Sequence, residues 1–165
     1  MKNKRTLQIV RHAKSSWDYD SLSDIDRPLK LRGIKNAYEM ARRLKIRNSL
    51  PKLILTSPAN RALHTAVIFA RVFELPFGKL TIEPKLYETG EERLLDLVRN
   101  LPDDVNSVML VGHNPVFTNF ANIFVTDPIA NVPTAGVVTV TFEADSWQDI
   151  NKEKIKGESF DFPAK

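Results

Sequence analysis

Leu7-Gln8-Ile9-Val10-Arg11-His12 is the stretch on which the fold turns. Its short apolar run, interrupted only by Gln8, reads as a buried strand that ends on two side chains able to do chemistry. Outward from it, apolar runs bounded by turn residues alternate with stretches of helical period. Residues 12–30 carry Ser, Asp and Pro without any period and read as a long loop. From Leu31 to Arg47, Ile34, Ala37, Met40, Ala41 and Leu44 recur at helical spacing. Leu53-Ile54-Leu55 reads as a strand, and Pro58 to Glu74 as a helix with proline in its first turn. Leu80 to Ile82 is a short strand, Glu91 to Leu101 a helix and Ser107 to Val111 the clearest buried strand. Pro115 to Val125 follows as a helix. Gly136 to Phe142 alternates apolar residues with Thr, as a strand with one less buried face does. Lys156 to Phe162 has the character of an edge strand.

Strands alternating with helices predict a three-layer α/β/α domain with a mostly parallel central sheet, continuous over residues 1–165. A composition of 42% apolar and 27% charged residues is that of a folded globular chain. There is no cysteine, which excludes disulfides, thiolate nucleophiles and Cys-ligated zinc. Met1 to Arg5 resembles a signal-peptide n-region, but the apolar run after it falls short of the roughly 7–15 residues of a secretory segment. No run approaches the ~20 residues of a membrane helix. The expectation is a cytoplasmic protein without a membrane partner. The formal charge of +4 is spread along the chain and is densest over Arg27 to Arg47, much of it on the solvated face of a helix. That argues against a nucleic-acid partner, which would need a focused basic patch. A modest positive field suits an anionic substrate.

In parallel sheets, ligands bind beyond the carboxyl ends of the strands. Those places hold Arg11-His12, then Thr56 to Arg61, then Gly112-His113-Asn114. Two of the three histidines in the chain thus follow the two clearest strands. Metal binding would want ligands at H-x-x-x-H or H-x-H spacing, and neither occurs. His64, on the 58–74 helix, reads as a half-exposed helical histidine. There is no G-x-S-x-G elbow and no P-loop. Anion chemistry remains. Arg11 and Arg61 offer planar forks matched to phosphate oxygens, and two helix N-termini near Pro58 and Pro115 would add backbone amides.

With these residues in view, Arg11-His12-Ala13-Lys14 resembles the R-H-G/A signature of the histidine phosphatase superfamily. Asp26-Arg27-Pro28-Leu29 with Gly33, Ser57 to Ala66 and Gly112-His113-Asn114-Pro115 follow in the expected order. The set is similar to the short SixA-type branch, known for removing phosphoryl groups from phosphohistidine in signalling proteins, and it covers residues 7–143. The resemblance implies a phosphoglycerate mutase-like fold, a phosphatase without metal or cofactor, and a phosphorylated protein or a small phosphorylated molecule as substrate. It implies His12 as the phosphate-accepting nucleophile, Arg11 and Arg61 as holders of the phosphoryl oxygens, and His113 with Asn114 completing the phosphate site. Lys14, Ser15 and Arg27 would form the rim, Arg27 alternatively pairing with Asp24 or Asp26. Leu86-Tyr87-Glu88 resembles the segment that supplies a general acid in the wider superfamily. Glu88 in that role would keep small phosphomonoesters, such as sugar phosphates, as alternative substrates. Otherwise it is a loop carboxylate near a helix N-terminus. A non-catalytic phosphate-binding module would use the same pocket but would not need the His12 imidazole.

Overall fold

The computed structural model describes residues 3–164; Met1 and Lys2 of the basic N-terminal cluster, and Lys165, lie outside the described residues. The strands are β1 (Lys4–Arg11), β2 (Leu53–Thr56), β3 (Leu80–Ile82), β4 (Ser107–Gly112), β5 (Val137–Glu143) and β6 (Ile155–Asp161). They form one sheet in the order β3-β2-β4-β1-β5-β6. The pairs β2–β3, β2–β4 and β1–β4 are parallel, while β5 and β6 join antiparallel at one side. The sheet is therefore mixed, with the parallel part carrying the strand ends of interest.

Helices α1 (Leu31–Ile46) and α2 (Asn60–Phe73) cover one face, and α3 (Glu91–Arg99) and α4 (Val116–Ala121) the other. Side-chain alternation along the strands feeds both layers. Leu7, Ile9, Val108 and Leu110 pack with Leu94, Val98, Phe117 and Phe120. Val10, Met109 and Val111 pack with Met40, Ala41, Ala66 and Phe69. Burial on both faces explains the near-continuous apolar strands. Gln8, the polar interruption in β1, is buried and donates from its side-chain amide to the Ser49 carbonyl at 3.1 Å. Thr139, Thr141 and the terminal Glu143 are the half-buried positions of β5, as the alternation implies.

Several boundaries differ from the expectation, most clearly in α2, α4 and α3. α2 starts at Asn60 rather than at Pro58, because Ser57 Oγ accepts the Ala59 amide at 3.2 Å and bends the chain first. α4 starts at Val116 and has only six residues. Its continuation is replaced by a loop that the Asn122 side chain ties down, donating to and accepting from Ile129 at 2.8 Å each way. α3 ends at Arg99. Among the described residues, no helix is long and apolar enough to cross a membrane.

The order β2-β4-β1 brings together the three loops singled out by the sequence, with the β4 loop in the middle. The parallel ladder runs one residue past the strands: His12 N–H donates to Gly112 O and Ser57 N–H to Val111 O, both at 3.0 Å. The 12–30 segment is an out-and-back arm. Its two limbs are tied by Ser16 N–H to Pro28 O at 2.8 Å, Lys30 N–H to Lys14 O at 2.9 Å and an antiparallel bridge between Ser15 and Leu29.

Candidate active site

A pocket of about 300 Å³ opens where the three loops meet the arm, and Arg11, His12, Arg61 and His113 all line it. His12 is only 7% exposed. Its Nδ1 lies 2.7 Å from the Ala13 carbonyl. A carbonyl only accepts, so Nδ1 carries the hydrogen and Nε2 keeps a free lone pair. Ala13 is held in turn by its amide donating to Thr65 Oγ1 at 3.0 Å, and Thr65 donates to the Arg61 carbonyl at 2.7 Å. One hydroxyl on α2 thereby couples the loop bearing His12 to the turn of helix that bears Arg61.

Burial pulls the His12 pKa down to about 3; the bond to Ala13 opposes this, while His113, Arg61 and Arg11 reinforce it. His113, whose ring centroid is 5.1 Å from that of His12, is pulled down to about 4 by burial and by Arg61. Both imidazoles are neutral at neutral pH. His113 Nε2 lies 2.8 Å from Ser57 Oγ. That hydroxyl also accepts from Ala59; where it donates to Nε2, the hydrogen of the His113 ring is on Nδ1. His113 Nδ1 is buried without a protein partner. Arg11 donates from Nη1 to Val132 O at 3.1 Å, and its Nε has no partner. Donors left unpaired at a buried site are costly unless a ligand accepts from them.

Arg61, 6% exposed, is engaged. Its Nη1 donates to the Asp24 carbonyl at 2.6 Å and its Nη2 to Asp24 Oδ2 at 2.9 Å. Asp24 Oδ2 also accepts from the Tyr87 hydroxyl at 2.8 Å, and Oδ1 from Arg27 Nε at 3.2 Å. Burial raises the Asp24 pKa, but the bonds from Tyr87 and Arg61 and the charges of Arg61 and Arg27 outweigh it and hold it at about 2. Arg27 pairs with Asp24 rather than Asp26. It is buried under Trp17, whose ring centroid is 3.4 Å from the guanidinium carbon. Lys14 and Ser15 line the pocket with it.

Two expected site residues behave differently. Asn114 lines the pocket, but its side chain is committed to the fold: its amide donates to Asn131 Oδ1 and Val132 O, and its oxygen accepts from the Thr118 amide and hydroxyl. Glu88 is exposed and is not among the residues lining the pocket. Its neighbour Tyr87 turns inward instead, its ring 5.6 Å from that of His113 and its hydroxyl on Asp24. His64 is half-exposed and lies off the pocket. Sequence reasoning named Asp24 only as an alternative partner of Arg27, and missed Trp17, Ser57, Tyr87 and Thr134 as parts of the site. Ser57 and Tyr87 stood inside quoted motifs, whereas Trp17 and Thr134 carried no signal. A pocket of about 380 Å³ along α3, lined by Lys85, Arg93 and Asp96, carries no histidine. Among the described residues, no three His, Asp or Glu side chains gather where they would hold a metal ion.

The buried histidines carry a stability consequence. Unfolded, each ring takes up a proton near 6.5; folded, they do so at about 3 and about 4. Between these limits the unfolded chain binds more protons, so stability is lost as pH falls from 6.5 towards 4. The expected result is an unfolding free energy, read from urea titrations, that declines through this window with a slope approaching ~1.4 kcal/mol per pH unit for each ring. His12→Gln should flatten the His12 share. A midpoint independent of pH from 7 to 4 would mean that the rings protonate freely in the folded state.

Residues 7–91 match the histidine phosphatase superfamily (branch 1). The chain belongs to this superfamily. It is accordingly an enzyme of the phosphatase class, and its fold is phosphoglycerate mutase-like. A protein of Agrobacterium tumefaciens assigned as the phosphohistidine phosphatase SixA superposes with a TM-score of 0.80 at 25% identity, covering 99% of this chain and 100% of that one. The protein histidine phosphatase SixA complexed with tungstate gives a TM-score of 0.71 at 22% identity, with 95% and 94% covered. Within the superfamily, the chain is therefore SixA-like. An uncharacterized chloroplastic protein of Arabidopsis thaliana is 29% identical over 153 residues, 88% of this chain and 70% of that one.

Proposed function

We propose that this histidine phosphatase uses His12 as its nucleophile and removes the phosphoryl group from phosphohistidine or another phosphorylated protein side chain. The observation that carries the proposal is the state of His12: a neutral ring, its Nδ1–H held by Ala13, its Nε2 free in a pocket flanked by Arg11, Arg61 and His113. The Nε2 lone pair forms a bond to phosphorus while the bond from phosphorus to the leaving atom breaks, and that atom keeps the electron pair. Water then attacks phosphorus, the bond to Nε2 breaks, and orthophosphate leaves with the oxygen of water. Positioning and charge neutralisation by the arginines and by the His113 donor account for most of what such a transfer needs.

The leaving group favours phosphohistidine over simple phosphate esters. An alkoxide needs a proton as it departs. Glu88 stands off the pocket, and Asp24, the carboxyl within it, is ionised. A phosphorylated imidazole protonated on its other nitrogen releases a neutral ring, whose pKa of ~6.5 marks a good leaving group. The arm forms one wall of the pocket, and Trp17 on it is 72% exposed, a surface better matched to a side chain presented by a protein than to an enclosed metabolite. The names of the SixA relatives point the same way.

The test is a quench experiment with a phosphohistidine protein labelled on phosphorus. An alkaline quench during turnover should leave label on the peptide containing His12, and mild acid should release it. Label on any other residue, or turnover with no labelled enzyme at any time, would remove His12 from the nucleophilic role.

A further inference from the structure

The pocket contains a resident anion that the phosphoryl-transfer chemistry does not call for. Asp24 sits among three arginines and lines the same cavity as His12. Its carboxylate accepts from Arg61 and Tyr87 on Oδ2 and from Arg27 on Oδ1. A carboxylate offers about four acceptor positions, so one on Oδ1 is left open. The side chain is 49% exposed, so that position can be reached from the pocket mouth. The anion is also rigidly placed, because the Asp24 carbonyl is itself held by Arg61 Nη1 at 2.6 Å.

Such a group discriminates by charge. A phosphorylated substrate whose other end is anionic, for example a carboxylate close to the phosphate, meets a like charge as it enters. A substrate whose leaving group carries an N–H on a cationic ring meets an acceptor and a counter-charge. We infer that Asp24 is a specificity-determining residue, selecting phosphorylated nitrogen with a protonated, positively charged leaving group over phosphoesters with an anionic remainder.

In the transfer step the ring nitrogen that does not bear phosphorus keeps its proton and points it at Asp24 Oδ1. The bond from phosphorus to nitrogen breaks, its electron pair enters the ring, and a neutral imidazole departs. No proton moves in that step. The carboxylate also favours the protonated ring before transfer, raising the fraction of substrate ready to leave.

This inference rests on the phosphatase reading, and the two can fail separately. Wild type, Asp24→Asn and Asp24→Ser are compared on phosphoimidazole and on 3-phosphoglycerate, with kcat and KM resolved and orthophosphate inhibition measured on each. Removing the charge should lower kcat/KM for phosphoimidazole far more than that for 3-phosphoglycerate, so that their ratio falls about ten-fold or more. Both variants should agree, since they share the loss of charge and differ in shape. A ratio that stays constant while turnover persists overturns the role of Asp24 alone. Equal gains on both substrates with tighter orthophosphate binding would make Asp24 only an internal competitor for Arg61, and would also overturn it. Wild-type protein inert on both phosphates overturns this inference, and inertness on a phosphohistidine protein as well would sink the phosphatase reading.

Discussion

His12→Ala is expected to reduce kcat by about 10⁴-fold or more while orthophosphate inhibition weakens by no more than about ten-fold. The asymmetry follows from how the pocket divides its work. On the proposed reading the nucleophilic lone pair is that of His12 Nε2, in a ring fixed by the bond between Nδ1 and the Ala13 carbonyl. His113 Nε2 is occupied by Ser57, and its Nδ1 is buried without a protein partner. On the same reading the phosphoryl oxygens are held by Arg11, Arg61 and His113, all of which remain in the variant. Arg61→Ala should show the opposite division, with phosphate affinity and turnover falling together. Single-turnover rates and inhibition constants on the two variants separate these cases. A His12→Ala protein with kcat within ten-fold of wild type would leave the pocket as a binding site whose chemistry lies elsewhere. The change should also be tolerated by the fold. It removes one buried neutral ring and its bond to the adjacent Ala13 carbonyl, and the Thr65 link to the Ala13 amide persists.

Much of this arrangement is legible in the chain before any coordinates. Arg11, His12, Arg61 and His113 are visible because strand ends in a parallel sheet are predictable places, and apolar runs such as Ser107–Gly112 announce themselves. What stays hidden lies where local pattern carries no period. Asp24 and Trp17 belong to a segment without repeating polarity, and their place is set by pairing between its limbs, which no local window contains. Tyr87 and Glu88 are adjacent, and the inward position goes to the one whose hydroxyl can donate to Asp24; a second carboxylate there would face the first. Helix starts were blurred for a related reason. Pro58 and Pro115 suit a first helical turn, but the Ala59 amide donating to Ser57 Oγ delays α2, and Pro115, already in the helical conformation, is the cap directly before α4.

Gly33→Ala tests how tightly the fold and the site are joined, and its expected effect is large and opposite to helix propensity. In an exposed helix, alanine in place of glycine would stabilise by roughly 1 kcal/mol. Here a Cβ on residue 33 would lie 2.2 Å from the Lys14 carbonyl oxygen and 2.9 Å from the Lys14 nitrogen. Both contacts are with backbone, and that backbone cannot retreat easily. Lys14 O already accepts the Lys30 amide, Ser15 is bridged to Leu29, and the Ala13 amide is bonded to Thr65. The strain must therefore move either the start of α1 or the strand-end loop that carries His12. Overpacking of this kind costs about 3 kcal/mol or more where the neighbours are fixed, which for a domain of this size lowers the melting temperature by roughly 10 °C. Activity should fall further than stability explains, because displacement of Lys14 is transmitted through Ala13 to the carbonyl that holds His12 Nδ1–H. Thermal melts and kcat measured well below the melting point distinguish the two contributions. A Gly33→Ala protein that melts higher than wild type would show that α1 does not press on the His12 loop, and that the site is held by the sheet alone.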